Sequence, residues 1–483
     1  MGLVLILVCV CYFAVAWWWV RVFGAMVISR EATSQAGVNN LHQLWLFWIG
    51  SGLMWGVLTI LYLVVRKRGD SFSSSRFWGV IVFILLTGMV LRVGVVMMHQ
   101  PGLSDDIWRY VFDGEVMASG HNPYEVSPGE VERDHERFIG EYALANRVNN
   151  PELATIYLPV SQVIFAMSAK MAQVMSGKDI DVDGGEMMGR VDPDWEAEVF
   201  RFVFVGFEMG VMVLLAFVLF TMKKSAWYLA LYVWHPLAIS EIAGEGHQDV
   251  IGLFFMVGAL LVWELRKRWV GRWSFLLAIS ALVKPMSVVV AGFQLRYDRA
   301  KRWDWVKSLL VGGVVCGLLM TAFFFLSDTT AWIRFTETVS LFVHKWAFFG
   351  SVYTPLMKLT GSEVWARRIL AVLLGLVVLV MMLKRREPWR ASRDFFFAGV
   401  LLSTTVWPWY LLWALVLFPV RQSASLWVAT LTIPWGYAVL GDVVGWTVPG
   451  WLPWLSYGPV YVILLLEMYY YLRRDHTRAT TDE

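Results

Sequence analysis

Long apolar runs punctuated by short basic clusters dominate the chain. The runs lie near residues 1–20, 43–65, 78–98, 201–222, 226–240, 250–265, 305–326, 367–383, 424–440 and 456–472. Most have roughly the 16–23 residues with which an α-helix crosses about 30 Å of hydrocarbon. The pattern predicts an all-α, polytopic membrane protein. Two further apolar runs are interrupted by proline: 273–295 at Lys284-Pro285, and 395–420 at Trp407-Pro408-Trp409-Tyr410. Each half is about 10–13 residues, short for a crossing. These are read as pairs of short or broken helices, with a plain Pro-kinked pair as the alternative. Irregular backbone at membrane depth needs protein or a wet cavity around it, so the breaks point to a polar cavity. With them the count reaches roughly 12–14 membrane segments.

The basic clusters orient the segments. Arg66-Lys67-Arg68, Lys223-Lys224, Arg266-Lys267-Arg268 with Arg272, Arg299-Ala300-Lys301-Arg302, Lys384-Arg385-Arg386 and Arg473-Arg474 go to the cytoplasm by the positive-inside rule. Residues 99–200 then fall outside. This region carries 19 acidic and 7 basic side chains, whereas the rest of the chain carries 19 and 34, for a net charge of +3. Ile156–Val174 is apolar but contains Ser161, Gln162, Ser168, Lys170 and Gln173. It is read as an amphipathic or partly embedded helix on the outer face. Were it a crossing, the acidic run 176–198 would be cytoplasmic and Lys223-Lys224 external.

Composition narrows the class. The chain has 483 residues, 58% hydrophobic and 16% charged, with a mean hydropathy of +0.57. Soluble, disordered and collagenous classes are excluded. Nucleic acid is not an expected partner, because no segment combines dense basic charge with interleaved aromatics. Cys9, Cys11 and Cys316 all sit in apolar runs and read as small core residues. The N-terminus has no basic region before its apolar stretch and reads as a retained helix. The 28 tryptophans include Trp17-Trp18-Trp19, Trp446, Trp451 and Trp454 near helix ends, as in an interfacial aromatic belt. P-loop, H-E-x-x-H and G-x-S-x-G motifs are absent, which argues against an ATP-driven pump, a zinc protease and a serine hydrolase.

Four polar stretches could carry chemistry. After the third helix comes Ser104-Asp105-Asp106-Ile107-Trp108-Arg109-Tyr110, then Asn122-Pro123-Tyr124. Carboxylates at a lipid–water boundary are partly desolvated, which raises their pKa toward that of a useful base. Adjacent ones can divide the roles of base and orienting group. Acids opening a solvated loop are the plainer alternative. The second stretch, Glu241 to Asp249, lies between two apolar helices and offers His247 and Asp249 to sugar hydroxyls or a phosphate; a solvated turn is its alternative. The third is Lys284 inside an apolar segment, where an ionisable residue is a functional candidate unless it snorkels to the interface. The fourth, Arg334 to Ser351, brings Glu337, His344, Lys345 and Trp346.

These pieces resemble the GT-C superfamily of polytopic glycosyltransferases, in particular bacterial members close to glycosyltransferase family 87. The resemblance rests on S-D-D-I-W-R-Y-V-F-D-G-E-V-M-A-S-G-H-N-P-Y-E-V-S-P (Ser104 to Pro128), N-N-P-E-L-A-T-I-Y-L-P-V-S-Q-V-I-F-A (Asn149 to Ala166), G-H-Q-D (Gly246 to Asp249), L-V-K-P (Leu282 to Pro285) and W-P-W-Y-L-L-W (Trp407 to Trp413), in that order. Such relatives usually read Y-P-P where Tyr157-Leu158-Pro159 stands, and often Asn in place of Gln248. The resemblance implies a GT-C-like catalytic core over 71–420 with the external loop 99–200, preceded by two additional helices (1–70) and followed by a C-terminal hairpin and tail (421–483).

It also implies inverting transfer of a hexose or pentose from a polyprenyl-phosphate donor to a glycan, lipid or protein acceptor. The reaction would occur on the extracytoplasmic face of the plasma (inner) membrane, with Asp105 or Asp106 as base. Asp106 is preferred, with Asp105 supporting. Arg109, Lys284, Lys345 and His247 are the candidates for the donor phosphate. Tyr110, Asn122, Tyr124, Asp249, Tyr157, Trp346, Trp409 and Tyr410 are the candidates for sugar or acceptor. No cofactor or metal is required, although the two aspartates could hold a divalent cation. A transporter or lipid flippase built around the broken helices, and a non-enzymatic assembly partner, are the competing classes.

Overall fold

The computed structural model describes residues 2–30, 33–67, 74–133, 144, 147–177, 191–266, 269–326, 330–442 and 445–479. Arg68, Lys267, Arg268 and residues 178–190 of the acidic run therefore lie outside the described residues. The described chain is helical, and its only β-type pairing is an isolated bridge from Phe348 and Phe349 to Thr405. Helices α1 (Gly2–Gly24), α2 (Ser34–Lys67) and α3 (Ser74–Met98) open the chain. Short α4 (Asp106–Ala118) and α5 (Pro128–Arg133) follow, then α6 (Pro159–Ser176) and the long α7 (Pro193–Thr221). Beyond a 3-10 turn come α8 (Ala230–Val233), α9 (Pro236–Ala238), a π-helical turn over Ile239–Gly244 and α10 (Asp249–Leu265). The next segments are α11 (Val270–Ala281), α12 (Val289–Tyr297), α13 (Arg302–Phe324), α14 (Thr330–Lys345), α15 (Tyr353–Thr360) and α16 (Glu363–Leu383). The chain closes with α17 (Pro388–Leu401), α18 (Leu412–Leu415), α19 (Ala424–Thr432) and α20 (Leu452–Ala479).

Seven segments among the described residues are long and apolar enough to cross a membrane: α1, α2, α3, α7, α13, α16 and residues 424–441. This is fewer than the twelve to fourteen expected. The other expected segments are short or interrupted: α10 has 17 residues, and α20 contains Pro459. The expected continuous helix over 226–240 is divided at His235-Pro236.

One local rule accounts for many of the breaks. Leu158, His235, Lys284 and Trp407 each precede a proline and are extended, with ψ between 121° and 163°. Proline's ring disfavours helical geometry in the residue before it. Its fixed φ and missing N–H suit the first position of the next helix. The two expected broken pairs are thus present, around Lys284-Pro285 and Trp407-Pro408.

α6 is inverted relative to a helix on a watery surface. Ser161, Gln162, Ser168 and Gln173 are buried against the protein, while Met167, Met171, Val174 and Met175 are exposed. Phe165, Ala169 and Ala172 share the buried face, and Lys170 is exposed beside the methionines. α13 is even less covered, with 6% of its apolar window buried.

The first two helices pack against later ones in one buried cluster. Tyr12 Oη donates to the carbonyl of Trp234. Asn40 donates to the carbonyl of Leu440 at 2.9 Å, and Trp55 to that of Trp427 at 3.0 Å. Of the cysteines, Cys9 is buried, but Cys11 is exposed on α1 and Cys316 half-buried, so the core assignment holds only for the first. Trp17, Trp18, Trp446, Trp451 and Trp454 are exposed, whereas Trp19 is in the core.

Candidate functional site

The loop from His99 to Asp105 and the turn from Glu241 to Gln248 meet at the head of α4. Glu245 is fully buried. Its Oε2 accepts from the backbone N–H groups of Gly102, Leu103 and Ser104 at 3.0, 2.9 and 3.1 Å. Its Oε1 lies 2.8 Å from Nε2 of His99. Gly246 follows with φ +72°, and a Cβ there would come within 2.8 Å of Ile107 and 3.0 Å of Arg201. Only glycine combines that backbone with so close an approach.

The two aspartates are treated differently. Asp105 Oδ1 forms a 2.7 Å ion pair with Arg30, a residue from the α1–α2 connection that the sequence did not single out. Arg30 also donates to the carbonyl of Gly102 at 3.1 Å. Asp106 begins α4, and its backbone N–H donates to Ser104 Oγ at 3.2 Å. Its side chain is 27% exposed. Tyr110 Oη is 3.5 Å from its Oδ2. Burial pushes the Asp106 carboxyl up to about 6, the Lys284 charge opposes that rise, and Asp105 and Asp249 add to it. Asp105 is also raised, by burial, with the Arg30 charge acting against it.

Around Asp106 stand several of the expected side chains. His247 is fully buried and stacked on Trp409 at 3.9 Å between ring centres. Its Nδ1 is 3.9 Å from Asp106 and its Nε2 is 3.4 Å from Glu241. Burial, aided by Lys284, pushes its pKa well down. Trp409 in turn stacks on Trp407 at 5.1 Å, and Trp407 on Phe348 at 4.2 Å. Lys284 is paired with Asp249, which also accepts from Trp413 Nε1 at 2.6 Å. The Lys284 ammonium lies 4.8 Å above the Tyr410 ring. Tyr157 meets Tyr110 edge-on at 4.9 Å.

Other candidates stand elsewhere or are engaged. Arg109 pairs with Asp113 at 3.1 Å and donates to the carbonyl of Leu153 at 2.5 Å. Asp113 also accepts from Gln162 at 2.9 Å, so this cluster ties α4 to α6. Asn122 donates to the carbonyl of Phe323 at 2.7 Å. Tyr124 is buried beside Phe324 and Phe335, and its hydroxyl donates to the carbonyl of Tyr157 at 2.5 Å. Lys345 is exposed at the end of α14. The carbonyl of Trp346 accepts from Arg367 at 3.1 Å. Gln248 accepts from Ser161 Oγ at 2.7 Å.

Among the described residues no group of three or more His, Cys, Asp or Glu side chains is arranged to hold a metal ion. No family model, no curated protein and no solved structure matches the chain.

Proposed function

We propose that the protein is a membrane glycosyltransferase that takes a sugar from a lipid-phosphate donor, commonly a polyprenyl phosphate, and passes it with inversion to a hydroxyl acceptor on the extracytoplasmic face. The observation that carries the reading is the state of Asp106. It is partly open and its carboxyl is raised to about 6, while its neighbour is held by Arg30. A sugar hydroxyl is a poor nucleophile, and a positioned carboxylate with a pKa near the working pH is suited to take its proton. In the step proposed, the acceptor oxygen attacks C1 of the sugar. Its proton passes to Asp106, and the C1–O bond breaks with the electron pair leaving on the lipid phosphate. Lys284 has donors beyond the one given to Asp249, and in this reading it takes up that charge.

The test is incubation of the purified protein with a panel of polyprenyl-phosphate hexoses and pentoses, with transfer or hydrolysis read by mass. Asp106→Asn is expected to lower turnover by about 10²–10⁴-fold while donor still binds. Undiminished activity in that variant, or no turnover of any donor by folded protein, would overturn the reading. Lipid movement that survives Asp106→Asn would favour a transporter.

A further inference from the structure

The best-engaged carboxylate near Asp106 belongs to neither aspartate. Glu245 touches no open surface, and its four close partners are three backbone amides and His99. The last of those amides belongs to Ser104, whose hydroxyl oxygen in turn accepts from the backbone N–H of Asp106. Two hydrogen bonds thus run from Glu245 to the backbone of Asp106. On the other side, His99 Nδ1 lies 2.9 Å from the carbonyl of Phe23, and the His99 ring stacks on Phe23 at 3.8 Å. Gly244 packs so closely that a Cβ there would meet the Phe23 ring at 2.6 Å. Arg201 closes the same knot by donating to the carbonyl of His99 at 2.7 Å.

We propose that Glu245 is the positioning residue for Asp106: anchored to α1 through His99, its carboxylate holds the 102–104 backbone and thereby fixes where the Asp106 side chain stands. This rests on Asp106 being the base. Charge-assisted bonds from a carboxylate to backbone amides are among the stronger ones available. A displacement of about 1 Å in a catalytic group can cost about a hundredfold in rate. The first helix, which by sequence looks like an addition before the core, is on this account part of the device that places the base.

Two measurements on the full-length protein test this. The first is kinetic. Glu245→Gln keeps shape and one acceptor oxygen but loses charge, and is expected to lower kcat by about tenfold or more while donor KM changes less than about twofold. The second is hydrogen exchange of the 102–104 amides, expected to quicken by about tenfold in Glu245→Gln and to stay unchanged in Asp106→Asn. Exchange does not depend on any sugar donor, so it separates failure of the clamp from failure of the glycosyltransferase reading. Unchanged protection of 102–104 in Glu245→Gln overturns the proposal, as does wild-type kcat. Should Glu245→Gln not fold, Ser104→Ala removes the bond to the Asp106 N–H while leaving the Glu245 bonds in place. It is expected to lower kcat with 102–104 still protected, and wild-type kcat there overturns the proposal equally.

Discussion

Two of the carboxylate–cation pairs among the described residues are built to different ends. Arg92 on α3 and Glu208 on α7 are both fully buried. Their contact is bidentate, at 2.5 and 2.6 Å. The remaining Arg92 nitrogen donates to the carbonyls of Gly88 and Val233 at 3.1 and 2.7 Å. The Val233 carbonyl lies just before the His235-Pro236 break, where the helix no longer satisfies its own backbone. The pair is thus closed to solvent and locks three chain segments together. Lys284 and Asp249 form the other pair, and its cation is 23% exposed. Among the described residues the ammonium donates only to Asp249 and lies over an aromatic ring. The difference lies in unspent hydrogen-bonding capacity. Arg92 gives four of its five donors to protein acceptors and is closed to solvent, whereas the Lys284 ammonium has three donors, one partner and an open side.

Arg92→Leu strands the Glu208 charge and is expected to cost about 3–5 kcal/mol of stability, read as thermal unfolding of purified protein. Arg92→Leu with Glu208→Leu should regain most of that loss, because replacing both partners leaves no unpaired charge. A single variant that melts like the wild type would show that the pair is not a lock. At the open pair the expectation reverses. Lys284→Met should lower kcat by about a hundredfold with a smaller change in melting than Arg92→Leu. The opposite order of effects would remove the functional distinction between the pairs.

The smallest expected effect is on pH dependence. A base must be ionised, so kcat/KM should climb as pH rises through about 6, the value to which burial pushes Asp106. Stability should run the other way. A carboxyl raised in the folded state favours folding while protonated, and that contribution fades as pH rises from about 4 toward 6. Asp106→Asn should therefore gain melting temperature relative to wild type as pH is raised across that window. An activity limb near 4, or no relative gain, would mean that Asp106 is better solvated than its surroundings indicate.

Much of the architecture is local and so was readable. Apolar run length predicts α1, α3 and α7. The rule for the residue before proline predicts the breaks at Lys284 and Trp407, since both act within one or two residues. Pro236 carries the same signal, but the unbroken hydrophobicity of 226–240 masks it and predicts a continuous helix. The closeness of Asp106 to a polar knot could be expected from the order of the motifs. Arg30 could not be, because an arginine in a connecting segment gives no local sign of its partner 75 positions away. Glu245 gave half a signal, as an acid between two apolar helices, but its partners are backbone amides more than 140 positions earlier. Backbone donors look the same in every sequence.

Local sequence suffices for a helical membrane protein, for the breaks at Lys284-Pro285 and Trp407-Pro408, and for the acids at the head of α4. These follow from hydrophobic length, proline geometry and order along the chain. Only the tertiary structure decided which acid is engaged and which is open, that Lys284 pairs with Asp249, and that α1 reaches the site through Phe23, His99 and Glu245. Each of these depends on which buried polar groups satisfy one another. Desolvation makes an unpaired group costly wherever it lies, so the pairing is settled across the whole packed interior and not by neighbours in the chain.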